Sequence, residues 1–450
     1  MMLGNRAIIE NRVQALWTTF DNNQRAAVSA ILDRWYSAGD NSFVLPIIDG
    51  PPGTGKTTVA AVAIARYLLE NPREQVLYMC YTNFAADCAL KILMNKLGFS
   101  ETQAIRIPAN PRERGPGIFG FSDLEDLSGL ERRMLERCPV LLCTLHRAGK
   151  ASQLRRRGTK VLIDEFSQVN IPMFFATIER VKYLDPEGYA LLGDPKQLPM
   201  VTTQPVLYQN ICSFIMGRKP EYEPHGLILQ HRMHEDICNA VNSLRRALGT
   251  YDIETSPRVQ DRKLTHQEFG FQWNEEVVSD PLLREMLDPN NPFVIVNTDN
   301  LDAREEECYR GSIKNTAEAR LAATIAEAFY ESYRREDGAK LLPTILSPYS
   351  AQVVEITRRL PSHLQDRCTT VFRAQGREYP CVIISFVRSN PNRFIGFLDE
   401  PQLRAQTYVA CSRAQAKLVI LLSFRTFLNA GHADFDHLCG TRSAHVVNIC

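Results

Sequence analysis

The sequence predicts an α/β protein of two units, each a parallel sheet flanked by helices. Three observations carry that prediction. A glycine loop, Gly50-Pro51-Pro52-Gly53-Thr54-Gly55-Lys56-Thr57, lies directly between an apolar run, Phe43 to Ile48, and an Ala/Val-rich stretch, Thr58 to Leu69. Apolar, β-rich runs then alternate with helical patterns, and the runs at 76–81, 160–163 and 189–192 end in small polar or acidic residues, where open α/β sheets hold their ligands. A second alternating series follows Leu229-Gln230-His231-Arg232-Met233-His234 and has no glycine loop of its own.

The composition allows cores of this size: 450 residues, 44% of them hydrophobic, fill two large domains or three ordinary ones. Lys+Arg 52 against Asp+Glu 51 leaves the chain near neutral, so a polyanion would be held by local patches rather than by an overall field. The start, Met1 to Arg6, has no apolar leader core, and no apolar run approaches the ~18 residues of a membrane span. An intracellular location and no membrane partner are therefore expected. The twelve cysteines form no C-x-x-C pair and read as free thiols of a reducing compartment. His432, His437 and Cys439 fit a polar tail better than a metal site, because no cysteine pair accompanies them.

In chain order, residues 20–36 place Ala27, Val28, Ile31, Leu32 and Trp35 at helical spacing behind the capping candidates Asp21 to Asn23. Gln24 falls on the first turn, and a glutamine can pair bidentately with the N6/N7 edge of adenine. The loop Gly50 to Thr57 fits G-x-x-x-x-G-K-[ST]: its backbone N–H groups can curl round phosphate, Lys56 can reach the β/γ-phosphates and the Thr57 hydroxyl can bind Mg²⁺. The helix that starts there, through Thr58, turns its positive end toward the same anion. A flexible turn is the bland alternative, but the flanking strand and helix argue against it.

Val76 to Tyr81 reads as a strand ending in Thr82-Asn83, followed by a helix to Leu97. Leu124, Leu127, Leu130 and Met134 mark a charged amphipathic helix in an excursion over about 100–138, and Val140 to Cys143 is a short buried strand. Lys160 to Ile163 ends in Asp164-Glu165-Phe166-Ser167-Gln168; Asp164 can hold Mg²⁺ while Glu165 polarises an attacking water. Tyr189 to Leu192 leads into Gly193-Asp194-Pro195-Lys196-Gln197-Leu198-Pro199, which sets Gln197 beside the other strand ends. In the second series, strands are expected at 293–297, 344–347, 382–387 and 418–422, and helices near 316–333, 351–360 and 402–412. The Asp/Pro-rich stretch 251–292 reads as a surface insertion and 425–450 as a tail, which divides the chain at 227/228 and 424/425.

Taken together, Gln24, Gly50 to Thr57, Thr82-Asn83, Asp164 to Gln168, Gly193 to Pro199, Gln230 to Met233, Ser347-Pro348-Tyr349, Gln375-Gly376-Arg377-Glu378 and Ser412-Arg413-Ala414 resemble the motifs of superfamily 1 helicases in their order, most of all the nonsense-mediated-decay branch. The resemblance runs from about Asp21 to about Phe424. It implies two RecA-like domains with ATP and Mg²⁺ in the cleft between them, and 5′ to 3′ movement on single-stranded RNA or DNA by a monomer. By position it implies that Lys56, Thr57 and Asp164 hold phosphate and metal, Glu165 serves hydrolysis and Gln197 couples the γ-phosphate to motion. Arg232 and Arg413 would be arginine fingers, Gly376 and Glu378 would line the cleft, Gln24 would read adenine and His231 would stack on it. Thr82, Asn83, Thr144, Pro348, Tyr349 and Arg373 would face nucleic acid.

Three positions depart from the family pattern: His231 where tyrosine is usual, Phe372-Arg373-Ala374 in place of an acid-small-aromatic run, and Tyr408 where asparagine is common. A nucleic-acid-binding scaffold or remodelling factor that keeps the fold and loads ATP as a structural switch without unwinding strands, and a P-loop ATPase acting on protein, are the alternatives. The hydrolytic residues are all present, and two arginines in a unit without a P-loop fit an intramolecular cleft better than a ring. Residues 132–160 carry nine basic residues, including Arg155, Arg156 and Arg157, against Glu136 alone, a group expected to meet phosphate.

Overall fold

The computed structural model divides into two compact units, Met1–Pro195 with Pro199–Ile228, and Lys196–Leu198 with Leu229–Cys450. It describes residues 5–37, 45–154, 159–182, 188–200, 202, 204–219, 223–301, 304–308, 311–401, 403–428 and 431–449.

The first unit runs α1 (Arg6–Thr19), α2 (Asn22–Tyr36), β1 (Ile47–Asp49), α3 (Lys56–Glu70), β2 (Val76–Cys80), α4 (Asn83–Lys91), β3 (Ala104–Ile107), α5 (Gly129–Arg137), β4 (Val140–Thr144), β5 (Lys160–Ile163), α6 (Ile171–Val181), β6 (Gly188–Gly193) and β7 (His225–Gly226). Its sheet has the order β3-β4-β2-β5-β6-β1-β7, all parallel, with an antiparallel hairpin (Arg114–Gly115 and Ile118–Phe119) added beyond β3. Every residue of β2, β4 and β5 is buried, because a parallel strand covered on both faces is apolar without alternation. Register fixes where the functional loops emerge. Asp49 pairs with Gly193, Met79 with Ile163 and Cys80 with Thr144, so the loops at 50, 82, 145, 164 and 194 all leave the same edge.

Two features of this unit were not anticipated. α1 buries Ile9 and Val13 in the core and packs the half-buried Leu16 and Trp17 against it, a stripe at helical spacing. The excursion at 100–138 is also more than a helical insertion, since Ala104–Ile107 is a buried strand of the main sheet; the helix there spans Gly129–Arg137, capped by Ser128 and Glu131.

The second unit runs α7 (Glu235–Ala247), β8 (Phe293–Asn297), α8 (Thr316–Ser332), β9 (Thr344–Ser347), α9 (Ser350–Thr357), β10 (Cys368–Thr370), β11 (Tyr379–Ser385), α10 (Ala405–Cys411), β12 (Ala414–Leu422), α11 (Ala433–Cys439) and β13 (His445–Asn448). The sheet order is β10-β9-β11-β12-β8-β13, parallel throughout. Two expectations are corrected here. The stretch 251–292 buries Leu264, Phe269, Phe271, Met286 and Leu287 in the core, and Phe271–Trp273 pairs antiparallel with Tyr333–Arg335, so it is part of the unit rather than a surface insertion. The tail is also structural: β13 pairs with β8, and Phe435 of α11 packs on Phe386 and Phe427 at ring distances of 5.2 and 4.5 Å. His432 is committed to the Arg393 carbonyl at 3.1 Å and to Asp399 at 3.3 Å.

Phe435→Ala should cost about 3–5 kcal/mol of stability in the second unit, the usual loss for emptying a buried aromatic site. Denaturant unfolding checks this, and an unchanged midpoint would return 425–450 to the status of a tail.

Candidate nucleotide site

The loop after β1 is built for an anion. Gly53 and Gly55 adopt φ of 82° and 86°, which only glycine reaches cheaply, and these turns let the chain double back onto the start of α3. A side chain at Gly50 would meet Lys56 Cγ at 2.2 Å, so glycine there lets the lysine run back across the loop, where Nζ donates to the Gly50 carbonyl. The loop is braced by the Thr54 hydroxyl on the Pro51 carbonyl at 2.8 Å, and Pro51 and Pro52 are buried. α3 begins at Gly55 with no side-chain cap, as α1, α9, α10 and α11 also do, but it alone follows the two left-handed glycines of this loop. The first N–H groups of α3, at Lys56, Thr57 and Thr58, are thus presented at the same edge with the positive helix end behind them.

Opposite them lies Asp164, 1% exposed. Its Oδ2 is 3.5 Å from the Thr57 hydroxyl and accepts from the Tyr78 hydroxyl, while Oδ1 accepts from the Glu165 N–H at 2.8 Å. Burial, then the Glu165 charge, pushes its carboxyl up to about 6, with Lys56 pulling the other way. Glu165 has φ 58°, strain worth roughly 1–3 kcal/mol that recurs at active sites, and its Oε2 is buried without a hydrogen bond. Thr57 and Asp164 together offer hard oxygen donors to one point, a set that fits Mg²⁺. Sequence reasoning missed Tyr78. It lies mid-strand in an apolar run, and only the β2–β5 pairing brings its hydroxyl beside the next strand's end.

Gln24 meets this loop, but its amide is already occupied. Nε2 donates to the Thr54 carbonyl at 3.1 Å, and Oε1 accepts from the Asp21 N–H at 3.2 Å as half of a capping box. It braces the loop as well as standing beside it. Thr82 caps α4, Asn83 Oδ1 accepts from Arg106 at 3.3 Å, and Thr144 is buried at the neighbouring strand end. Of the basic residues at 132–160, several of the described ones have partners within the first unit. Lys160 is buried 5.6 Å from the Tyr67 ring, Arg132 pairs with Glu136, Lys150 with Asp123, and Arg147 donates to the Phe121 carbonyl; Arg155, Arg156 and Arg157 lie outside the described residues.

The second unit gathers a separate charged cluster. Arg232 Nε donates to Glu378 Oε2 at 2.6 Å and its Nη1 to the Ser412 carbonyl at 3.2 Å, so three expected motifs converge. Its backbone and that of Met233 are fixed by Gln230 Oε1, 2.7 Å from each N–H. Burial pushes Glu378 up, but Arg232, Arg413 and Arg262 outweigh it and hold the carboxyl below its ordinary value. Arg413 is 2% exposed, with donors on the carbonyls of Val409 and Arg377 and on the Ser412 hydroxyl. Gly376 has φ 80°, and His231 is half-buried with its carbonyl 3.4 Å from Arg262. Gln197 is buried in the short segment that belongs to this unit, beside Leu198, whose side chain joins the core with Met233 and Ile237. Pro348 and Tyr349 follow β9, with Tyr349 packed on Phe397 at 4.7 Å; Arg373 is exposed. Tyr408, one of the departures, accepts from the fully buried Arg245 at 2.8 Å.

Residues 40–203 match one family described as an AAA domain and residues 208–424 match another. The chain is 26% identical over 92% of its length to the DNA replication ATP-dependent helicase/nuclease JHS1 of Arabidopsis thaliana and 27% over 88% to the corresponding dna2 protein of Schizosaccharomyces pombe. It is 25% identical over 84% to a regulator of nonsense transcripts 1 homolog of Neurospora crassa. It spans 29%, 27% and 35% of those proteins, about a third of their length. Among solved structures, the Pif1 helicase of Candida albicans aligns with 90% of this chain and 96% of its own at 13% identity, with a TM-score of 0.40. Together the two family matches span most of the chain, which is thus similar to superfamily 1 helicases, the dna2-type helicase/nucleases and the regulator of nonsense transcripts among them.

Asp164 gives a pH test. Its folded value of about 6 lies above the ~3.9 of an unfolded aspartate, so its contribution to stability is full below the unfolded value and is lost as pH rises through about 6. Without ligand, Asp164→Asn should therefore melt higher than wild type above pH 6, and the gap should close toward pH 4. Melting curves across that range decide it; a gap independent of pH would mean the carboxyl does not titrate there.

Proposed function

We propose that this chain hydrolyses ATP to move 5′ to 3′ along single-stranded RNA or DNA and to part strands ahead of it. The observation that carries this is the uncapped start of α3 facing Asp164, with the Thr57 hydroxyl 3.5 Å from its carboxylate. In this reading ATP lays its phosphates on the N–H groups of residues 53–58 and on Lys56. Mg²⁺, held by Thr57 and Asp164, would neutralise charge on the β- and γ-phosphate oxygens. Glu165 orients and deprotonates the attacking water, and its unbonded Oε2 leaves an acceptor free for that task.

Arg232 and Arg413 act from the second unit on the charge that develops at the γ-phosphate, and Glu378 holds Arg232 ready for it. Gln24 and His231 meet the adenine, and Gln197 reports the state of the γ-phosphate. Nucleic acid runs over Thr82, Asn83 and Thr144 on the first unit and over Pro348, Tyr349 and Arg373 on the second. The relatives are named as helicases of DNA replication and as regulators of nonsense transcripts, which supports a nucleic-acid substrate of either sugar. In this reading the chain works as a monomer inside the cell.

Lys56→Ala should abolish ATP hydrolysis, whereas Glu165→Gln should still bind ATP and fail to cleave it. Steady-state ATPase with matched RNA and DNA strands, together with nucleotide binding, reads both; normal turnover in either variant would overturn the site. Gln24→Ala should weaken ATP relative to GTP by about 1–3 kcal/mol if the amide leaves Thr54 to read the base. Equal losses for both nucleotides would confine Gln24 to bracing the loop.

A further inference from the structure

Between β11 and α10 the second unit carries a loop whose backbone is fixed from below while its tip stays open. The chain leaves β11 through Val387 at φ 74°, a left-handed conformation that β-branched residues rarely adopt. Buried groups enforce it. Glu318 Oε1 accepts from the Val387 N–H at 2.9 Å and from the Ser385 hydroxyl at 2.7 Å, and Asn315 Nδ2 donates to the Val387 carbonyl at 3.1 Å. Glu305 then takes Arg388 at 3.0 Å, the Ser389 N–H at 2.8 Å and Asn390 Nδ2 at 3.0 Å. Asn390 closes the tip, accepting from the Phe394 N–H at 3.0 Å and donating to its carbonyl at 2.8 Å, where Arg388 Nε also donates at 3.0 Å.

Three of these bonds end on the backbone of Phe394, yet its ring is 63% exposed, more than any other Phe, Tyr or Trp among the described residues. The Arg388 guanidinium lies 5.0 Å from the ring centroid, and Arg393, exposed and at φ 55°, precedes it. The next residue turns inward, its carbonyl 3.5 Å from the Tyr349 hydroxyl, so this tip shares the strand-end edge with Pro348 and Tyr349. A rigidly mounted, unburied ring adds little to the fold. It offers a flat apolar face that loses little freedom on binding, beside a cation, which is the chemistry single-stranded nucleic acid requires.

We propose that Phe394 is a stacking platform for one base of a single strand and that Arg393 meets the adjoining phosphate. This rests on nucleic acid being the ligand of the chain. The test is equilibrium binding of the full chain to fluorescent oligothymidylate and oligouridylate, and to strands of the same length with abasic sites throughout. Phe394→Ala should bind the intact strands about 5- to 100-fold more weakly than wild type, with the salt slope unchanged and little further loss on abasic strands. Phe394→Trp should restore wild-type affinity, and Arg393→Ala should flatten the slope of log affinity against log salt by about 0.7. Wild-type affinity in Phe394→Ala, or equal losses on intact and abasic strands, would overturn the contact while leaving the functional reading standing. A wild-type chain that binds no single strand would overturn both.

Discussion

A carboxylate buried at the end of a central parallel strand, opposite a helix that begins without a cap, is the constraint on which the first unit depends. Neither half is comfortable alone. Asp164 gives up hydration, and the start of α3 leaves N–H groups that a side chain would ordinarily satisfy. Only a fold that brings them together at one edge makes both tolerable. Parallel pairing does this. Because β5, β6 and β1 run in one direction and in register, the loops that follow them emerge side by side. The Tyr78 hydroxyl and the Glu165 N–H stabilise the carboxylate, and the nearby Lys56 ammonium opposes the upward push of burial.

The second unit solves the opposite problem, since it must hold cations. Arg232 is matched to Glu378, and Arg413 spends its donors on carbonyls and a hydroxyl of its own helix and the loop before β11. Buried guanidinium groups need such partners, and removing one leaves a charge without compensation. For either arginine to reach a phosphate it must exchange one of these bonds for another. That exchange costs little only when the incoming acceptor is itself charged, so the partners that keep the arginines stable in the free protein also make them selective for an anion.

Much of this was legible in the sequence because it rests on local chemistry. The glycine loop, the acid pair after 160–163 and the strands at 293–297 and 344–347 each have a signal within a few residues: required φ values, apolar runs or adjacent charges. What was not legible depends on partners far along the chain. Tyr78 matters to Asp164 only because β2 and β5 are neighbours, Ala104–Ile107 fell within the expected excursion although it pairs with the buried β4, and β13 is four residues, only Val447 of them buried, held by pairing with β8. The stretch 251–292 misled because its core residues, Leu264, Phe269, Phe271, Met286 and Leu287, are scattered among polar residues and prolines without a regular period.

The departures from the family pattern divide along the same line. Tyr408 is explained by structure alone: its hydroxyl is the acceptor for Arg245, a fully buried guanidinium whose Nε donates to the Tyr251 carbonyl at 2.8 Å and whose charge lies 4.8 Å from the Tyr251 ring. Asparagine at that position would be shorter and would leave Arg245 reaching across a gap, so tyrosine and arginine form one compensated pair. Phe372 and Ala374 likewise pack on the core of the second unit, and only Arg373 between them is exposed. An acid-small-aromatic run would there bury or expose different atoms without changing the backbone turn at Gly376 that follows. His231 is different, being half-buried beside the Arg232 that Glu378 holds. Of the three departures it alone lies next in sequence to a charged group of the proposed nucleotide site.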